Sequence, residues 1–295
     1  MAVAGSVDPM PATDRTAVLF PGQGSQTDDM RDTTERLRPD LVARAAEIVG
    51  EDPFARIEDG TRFQQPALFC ASIAGCGTLD VSPAAAAGHS LGEFGALAAA
   101  GALDEADALE LVALRGELMD AAACEGPPAG MLAVLKGKPG DAEAIAADLG
   151  LTVANDNAPG QVVLSGPADA LDAATEAADD AGLKAMRLPV KGGFHSPTME
   201  PAVPRLRAAL DRVSVKRPRF PVFSSITAKP FDDVRAELAL ALTHGVRWRE
   251  TLLALRDAGV RRFAETGPGK VVTGLVRRTL DDVEAFAAKP EADHA

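Results

Sequence analysis

The chain has 295 residues, 46% hydrophobic and 25% charged, which suits a soluble globular protein with a large buried core. Lys+Arg number 30 against 43 Asp+Glu, a formal net charge of −13. That argues against wrapping nucleic acid or lying on an anionic membrane, because both need clustered basic side chains. No Tyr and one Trp leave little for stacking on single-stranded bases.

Residues 1–14 carry Gly, Pro, Ser and Asp without periodicity and are expected to form a disordered leader; lacking a basic start, the segment does not read as a signal peptide. Thr16–Phe20 is a short apolar run stopped by Pro21-Gly22, the pattern of a buried strand entering a tight loop. Polar helical sequence follows from about Asp28 to Gly50, and a second helix over Gln65–Leu79. The uncharged run Phe63–Leu79 contains Gln64, Gln65, Pro66 and two glycines, so it reads as a buried helix and not a membrane span. Ala84–Gly88 has helical composition but is read as a strand because of the motif that follows it. Leu91–Ala100 is helical, Gly101 ends it, and Asp104 caps a further helix to about Ala123.

Residues 128–190 read as a separate unit. Strands are expected at Met131–Leu135, Thr152–Ala154, Gln161–Ser165 and Leu183–Val190, with helices at Asp141–Leu149 and Ala168–Ala181 and a turn over Asn155–Gly160. That βαββαβ order is ferredoxin-like. It would be an insertion in a larger α/β domain made of residues 15–127 and 191–285, which resumes with a helix near Met199–Leu210, a strand at Phe220–Ser224, helices at Phe231–Leu242 and Arg249–Ala258, a strand at Arg262–Glu265 and a helix at Lys270–Leu280. Residues 286–295 are expected to be a frayed tail.

Gly88-His89-Ser90-Leu91-Gly92 matches the G-x-S-x-G nucleophile elbow, in which a serine sits on a sharp strand-to-helix turn with its hydroxyl clear of the sheet. The Leu91 N–H would then lie at a helix N-terminus, where it can stabilise an oxyanion. A serine nucleophile needs a base. His294 is in the tail, and His89 adjoins the serine so that its ring should point away, which leaves His195 and His244. His195 lies in the glycine-flanked loop Lys191-Gly192-Gly193-Phe194-His195-Ser196-Pro197. On these residues alone a serine esterase with His244 as base stays open, as does a docking protein that kept the fold. Cys70, Cys76 and Cys124 are too few for a disulfide framework and form no C-x-x-C, so no metal site is expected and the compartment is read as reducing, hence cytoplasmic.

The motifs together resemble malonyl-CoA:acyl carrier protein transacylases and the related acyltransferase domains of polyketide synthases. Those carrying the resemblance are Leu19-Phe20-Pro21-Gly22-Gln23-Gly24-Ser25-Gln26, Gly88-His89-Ser90-Leu91-Gly92-Glu93-Phe94, Leu114-Arg115-Gly116, Val153-Ala154-Asn155 with Pro159-Gly160-Gln161-Val162-Val163, Gly193-Phe194-His195-Ser196, and Glu265-Thr266-Gly267-Pro268-Gly269-Lys270. The resemblance spans about residues 16–285. It implies an α/β-hydrolase-like large domain with a parallel sheet and an inserted ferredoxin-like subdomain. It also implies ping-pong transfer of malonyl from malonyl-CoA to the phosphopantetheine thiol of an acyl carrier protein, with no permanently bound cofactor.

Carried over by position, the resemblance makes Ser90 the nucleophile, His195 the base and the backbone N–H groups of Gln23 and Leu91 the oxyanion hole. Arg115 would hold malonate's free carboxylate through its planar fork, and bulky Phe194 would restrict α-branched acyl groups. A backbone carbonyl near Ala241 would orient His195. Ser224-Ser225 stands where an Asn is frequent after the first Ser, so any hydrogen bond from that Asn is in doubt. Coenzyme A and the carrier are anionic partners, so the few basic groups beside the cleft become docking candidates: Lys184, Arg187, Lys191, Lys270, Arg277 and Arg278. Without a coiled-coil pattern or a large apolar surface stretch, a monomer is expected.

Overall fold

The computed structural model describes residues 15–289. The leader expected at 1–14 and residues 290–295 lie outside the described residues. Two sheets organise the rest. The first has the order β7-β2-β1-β8-β9 and is parallel throughout. Its strands are β1 (Thr16–Phe20), β2 (Pro83–Gly88), β7 (Val222–Phe223), β8 (Arg262–Glu265) and β9 (Glu284–Ala287). β1 is central and buried along its whole length. The alanine run pairs in register with it, Ala85 to Ala17 and Ala87 to Leu19. Ala is the best helix former, so here tertiary pairing overrides propensity. The small side chains of Ala85, Ala86 and Ala87 are buried on both faces of β2.

Helices α1 (Met30–Leu37), α2 (Pro39–Val49), α3 (Thr61–Cys76), α4 (Gly92–Ala99) and α5 (Glu105–Glu125) follow β1 and β2. The single helix expected over 28–50 is two, because Pro39 begins a new one at its first turn. Asp104 caps α5 by accepting from the Ala106 N–H at 3.0 Å. Helices α8 (Val203–Leu210), α9 (Val234–Leu240), α10 (Trp248–Asp257) and α11 (Val271–Thr279) complete the set around the parallel sheet. The strand expected at Phe220–Ser224 shrinks to two paired residues.

The second sheet is antiparallel with order β4-β5-β3-β6. It is built from β3 (Ala129–Leu135), β4 (Thr152–Ala158), β5 (Gln161–Pro167) and β6 (Lys184–Arg187), with α6 (Asp141–Leu149) and α7 (Ala168–Asp180) between strands. Its inner strand positions and these helices share a cluster of Leu132, Val134, Ala146, Leu164 and Leu171. This is the ferredoxin-like strand arrangement, and the α/β class read from the sequence is the class found.

Three further boundaries differ from the sequence reading. β4 continues through Asn155-Asp156-Asn157, leaving Pro159-Gly160 as the turn, with Gly160 at φ 69°. Those polar residues look like a loop, yet Asn155 and Asn157 are buried, and Asp156 pairs with Arg249 at 2.7 Å. β6 stops at Arg187, two residues before Pro189, which has no N–H for the ladder. The tail expected to begin at 286 instead carries the second half of β9, where Phe286 pairs opposite Ala264; Glu284–Ala287 is too short and alanine-rich for its alternation to stand out.

Candidate active site

The site forms where β1 and β2 end. Ser90 follows β2 with φ 53°, the left-handed region that costs a non-glycine residue roughly 1–2 kcal/mol. The turn is held from β1 by the His89 N–H donating to the Phe20 carbonyl at 2.9 Å. It can be this tight because its flanks are glycine. A Cβ at position 88 would lie 1.9 Å from the Gly92 carbonyl carbon, and one at 92 would lie 2.1 Å from the Phe20 oxygen. Gly22 packs on the same turn, where a Cβ would come within 2.6 Å of the His89 oxygen. The neighbouring Gln23 is thereby brought to the elbow. The N–H groups of Gln23 and Leu91 have no hydrogen-bond partner among the described residues.

Ser90 Oγ lies 2.8 Å from His195 Nε2. His195 also has positive φ, 58°, and is buried. Its Nδ1 is 2.8 Å from the Ala241 carbonyl and 3.2 Å from that of His244. A carbonyl can only accept, so Nδ1 carries the proton and Nε2 is left as the acceptor for the serine hydroxyl. Burial, reinforced by the positive charge of Arg115, holds the imidazole well below its usual range, so it is neutral at physiological pH. The His244 ring, by contrast, is exposed and turns its Nδ1 to the Leu240 carbonyl at 3.0 Å. That removes His244 as a base for Ser90 and with it the esterase arrangement.

Arg115 reaches the same hydroxyl from α5. Its Nη2 donates to Ser90 Oγ at 3.0 Å and its Nη1 to Gln65 Oε1 at 2.7 Å. The guanidinium is 1% exposed and no carboxylate pairs with it among the described residues. Burial pulls its pKa down to about 10, and the nearby Glu93 charge works against that. A buried cation with unused N–H donors and no ion-paired carboxylate has the chemistry to take up an anion.

Gln65 continues a relay of amides, donating to Gln23 Oε1 at 3.2 Å, while Gln23 Nε2 donates to Gln64 Oε1 at 2.6 Å. Sequence reasoning missed Gln64 and Gln65 as site residues; their signal was two amides inside an otherwise apolar helix. It also missed the pairing of His89 Nε2 with Asn157 Oδ1 at 2.7 Å, with the ring edge-on to Trp248. Phe194 lines a small cavity together with Gln23, Gln64, Asp120 and Lys191.

The six basic docking candidates do not gather in one place. Lys191 lines the Phe194 cavity. Arg187 is committed to the Ala168 carbonyl and to Asp172, both at 2.7 Å. Lys184 is exposed on β6 opposite Leu135. Lys270 lines a different cavity beside Thr27 and Thr266, Arg277 donates to the Ala285 carbonyl at 2.7 Å, and Arg278 to the Gln161 side chain. Among the described residues no group of His, Cys, Asp and Glu could hold a metal ion, and no helix is long and apolar enough to cross a membrane.

Residues 18–292 match the acyl transferase domain family. The chain belongs to the acyl transferase family. It is 35% identical to the polyketide biosynthesis malonyl CoA-acyl carrier protein transacylase BaeC of Bacillus velezensis, over 92% of this chain and 98% of that one. The polyketide biosynthesis protein ThaF of Burkholderia thailandensis is 38% identical over 95% of this chain, which spans 26% of that much longer protein. Among solved structures, the malonyl-CoA:acyl carrier protein transacylase of Xanthomonas oryzae superposes with TM-score 0.87 at 36% identity, covering 94% of this chain and 95% of that one. A malonyl-transacylase solved in complex with its type II polyketide acyl-carrier protein superposes at 0.85 with 32% identity, over 92% of this chain and 95% of that one. In this chain His195 Nε2 and Arg115 Nη2 converge on one atom, the Ser90 Oγ.

Proposed function

We propose that this acyl transferase moves a malonyl group from malonyl-CoA to the phosphopantetheine thiol of an acyl carrier protein, for fatty-acid or polyketide synthesis, through a malonyl ester on Ser90. The observation that carries the reading is the pairing of an activated serine with a buried, carboxylate-free guanidinium 3.0 Å from its oxygen. A solved relative bound to its carrier protein supports the choice of partner.

Ser90 Oγ attacks the thioester carbonyl carbon as its proton passes to His195 Nε2. The oxyanion that forms is met by the N–H groups of Gln23 and Leu91, which have no other partner among the described residues. Collapse breaks the carbon–sulfur bond, and the leaving thiolate takes the proton back from His195. The carrier thiol then gives its proton to His195 and attacks the ester carbonyl; the bond from that carbon to Ser90 Oγ breaks, and Oγ takes the proton back from His195. Once Ser90 is acylated its oxygen is a poor acceptor, so the Arg115 Nη2 turns from it to the malonyl carboxylate. Thioester and ester are close in free energy, so the main hazard is water. In this reading residues 128–190 act as an inserted subdomain covering a cleft in the domain of residues 15–127 and 191–285. Phe194 beside the base restricts α-branched acyl groups. The reading has the enzyme working as a cytoplasmic monomer without a resident cofactor.

The test is incubation with malonyl-, methylmalonyl- and acetyl-CoA, each with and without candidate carrier proteins. Mass spectrometry should find a malonyl ester on the peptide carrying Ser90 and a malonylated carrier. No adduct on Ser90 in the absence of carrier would overturn the reading.

A further inference from the structure

Glu93 takes no part in the chemistry above, yet it lies on the first turn of α4, its N–H donates to the Ser90 carbonyl at 3.1 Å, and it is 1% exposed. Burying a carboxyl group is costly unless it is well partnered. Its Oε1 accepts the Ser225 N–H at 2.6 Å. Oε2 has no partner meeting hydrogen-bond geometry among the described residues, and neither do the hydroxyls of Ser224 and Ser225 beside it. The Ser225 N–H is thus the one hydrogen bond of good geometry on this side chain. Burial pushes the carboxyl up to about 7, while the Ser225 N–H and hydroxyl and the Arg115 charge favour the ionised form and Glu237 opposes it.

The partner of that bond leads back to the base. The Ser225 carbonyl accepts the Arg247 N–H at 2.6 Å. The adjacent Val246 is tied to β4 by its N–H to the Ala154 carbonyl at 2.8 Å and by its own carbonyl from the Asp156 N–H at 2.9 Å. The same segment supplies both carbonyls that hold His195 Nδ1, those of Ala241 and His244. A continuous chain thus runs from the turn that carries the nucleophile, through the Glu93 carboxyl, Ser225 and Arg247, to the peptide groups that aim the base. Gly245 leaves this segment little slack, because a Cβ there would lie 2.2 Å from the Val153 oxygen.

We propose that Glu93 is a positioning residue for acyl transfer, fixing the 241–247 segment to the nucleophile turn through Ser225 so that His195 is aimed at Ser90. The inference rests on the transferase reading above. Displacing a catalytic group by about 1 Å costs on the order of 10²-fold in rate, so small slack in this chain is visible in kcat.

The experiment compares wild type with Glu93→Ala, Glu93→Gln and Glu93→Asp in malonyl transfer, together with the NMR signal of the His195 Nδ1 proton. Gln keeps an oxygen at the position of Oε1, whereas Asp keeps the charge but withdraws it from Ser225. Expected are a kcat reduced about 10- to 100-fold in Ala and Asp, a malonyl-CoA KM within about twofold, and near wild-type turnover in Gln. The His195 proton signal should move in Ala and Asp and stay in Gln. Should Ala fail to fold, Asp and Gln carry the comparison. Wild-type kcat in Asp, or a loss of kcat with the His195 signal unmoved, would overturn the proposal. If the wild type itself forms no malonyl ester, the transferase reading falls, while the His195 signal still reports whether Glu93 holds the base.

Discussion

Replacing Arg115 by Ala separates recognition of the acyl group from the chemistry of the serine. In the free enzyme the guanidinium spends one hydrogen bond on Gln65 and one on Ser90 Oγ. With malonyl bound it can offer two parallel N–H groups to the free carboxylate. Charge-assisted hydrogen bonds are worth about 1.5–3 kcal/mol each, so losing two costs about 3–6 kcal/mol, or about 10²- to 10⁴-fold in kcat/KM for malonyl-CoA. Acetyl-CoA has no carboxylate and should lose only the contact to Ser90 Oγ, about 10- to 10²-fold. The malonyl-to-acetyl preference should therefore fall by the worth of one such bond, about 10- to 10²-fold, and Arg115→Lys should lie between, since an ammonium cannot form the fork. Single-turnover acylation of Ser90, followed by mass spectrometry with each thioester, measures both constants. Thermal unfolding controls for the unpaired Gln65 amide left behind. Equal losses for the two acyl groups would refute the carboxylate clamp.

Other consequences follow from the same geometry. The buried His195 is held below its usual value of 6.5 by burial and by Arg115, so the base stays neutral in mildly acidic solution. The acid limb of kcat/KM should lie well under pH 6.5 and rise in Arg115→Ala, where the repelling charge is gone; a limb at the ordinary imidazole value would contradict the burial of the base. The stability that His195 confers is greatest above pH 6.5 and is lost as pH falls towards its depressed folded value, which urea titrations across that window should register. Gly88→Ala would place a Cβ 1.9 Å from a backbone carbon and should cost at least about 3 kcal/mol in chemical unfolding. Gly24→Ala, at φ 95° with open space around it, should cost about 1–2 kcal/mol; equal penalties would mean that crowding at the elbow is not what demands glycine. Lys191→Glu should raise the carrier KM about 3- to 10-fold at low salt and less at high salt. Reversing Lys270, Arg277 and Arg278 together should change it by less than about twofold, and the opposite ranking would move the docking surface to α11.

How much of this was legible in the sequence depended on how local each signal is. The elbow at Gly88–Gly92 was readable because a strained turn needs particular residues at particular positions, and that motif outweighed the helical composition of Ala84–Ala87. The polar stretch Asn155-Asp156-Asn157 reads as a turn for the complementary reason. Its side chains are polar because they meet His89 and Arg249, partners far away in the chain that no local pattern announces. Pro39 divides one expected helix into two and Pro189 follows the early end of β6, and each is marked in the sequence as a residue without a backbone N–H.

The same distinction explains the charges. Six basic residues near the cleft in sequence looked alike, and what sorts them is which groups the fold already gives them. Arg187, Arg277 and Arg278 are each spent on carbonyl, carboxylate or amide oxygens, whereas Lys191 stands at the Phe194 cavity. Arg115 is the reverse case. From the sequence it could pair with Glu110 or Glu117 on its own helix, yet the fold turns those carboxylates outward to Arg44 and Arg205. The fold thus leaves the buried guanidinium without an ion-paired carboxylate among the described residues. In an acidic chain, an arginine kept out of such a pair would supply binding energy to a substrate that brings its own carboxylate, which is what Arg115→Ala tests.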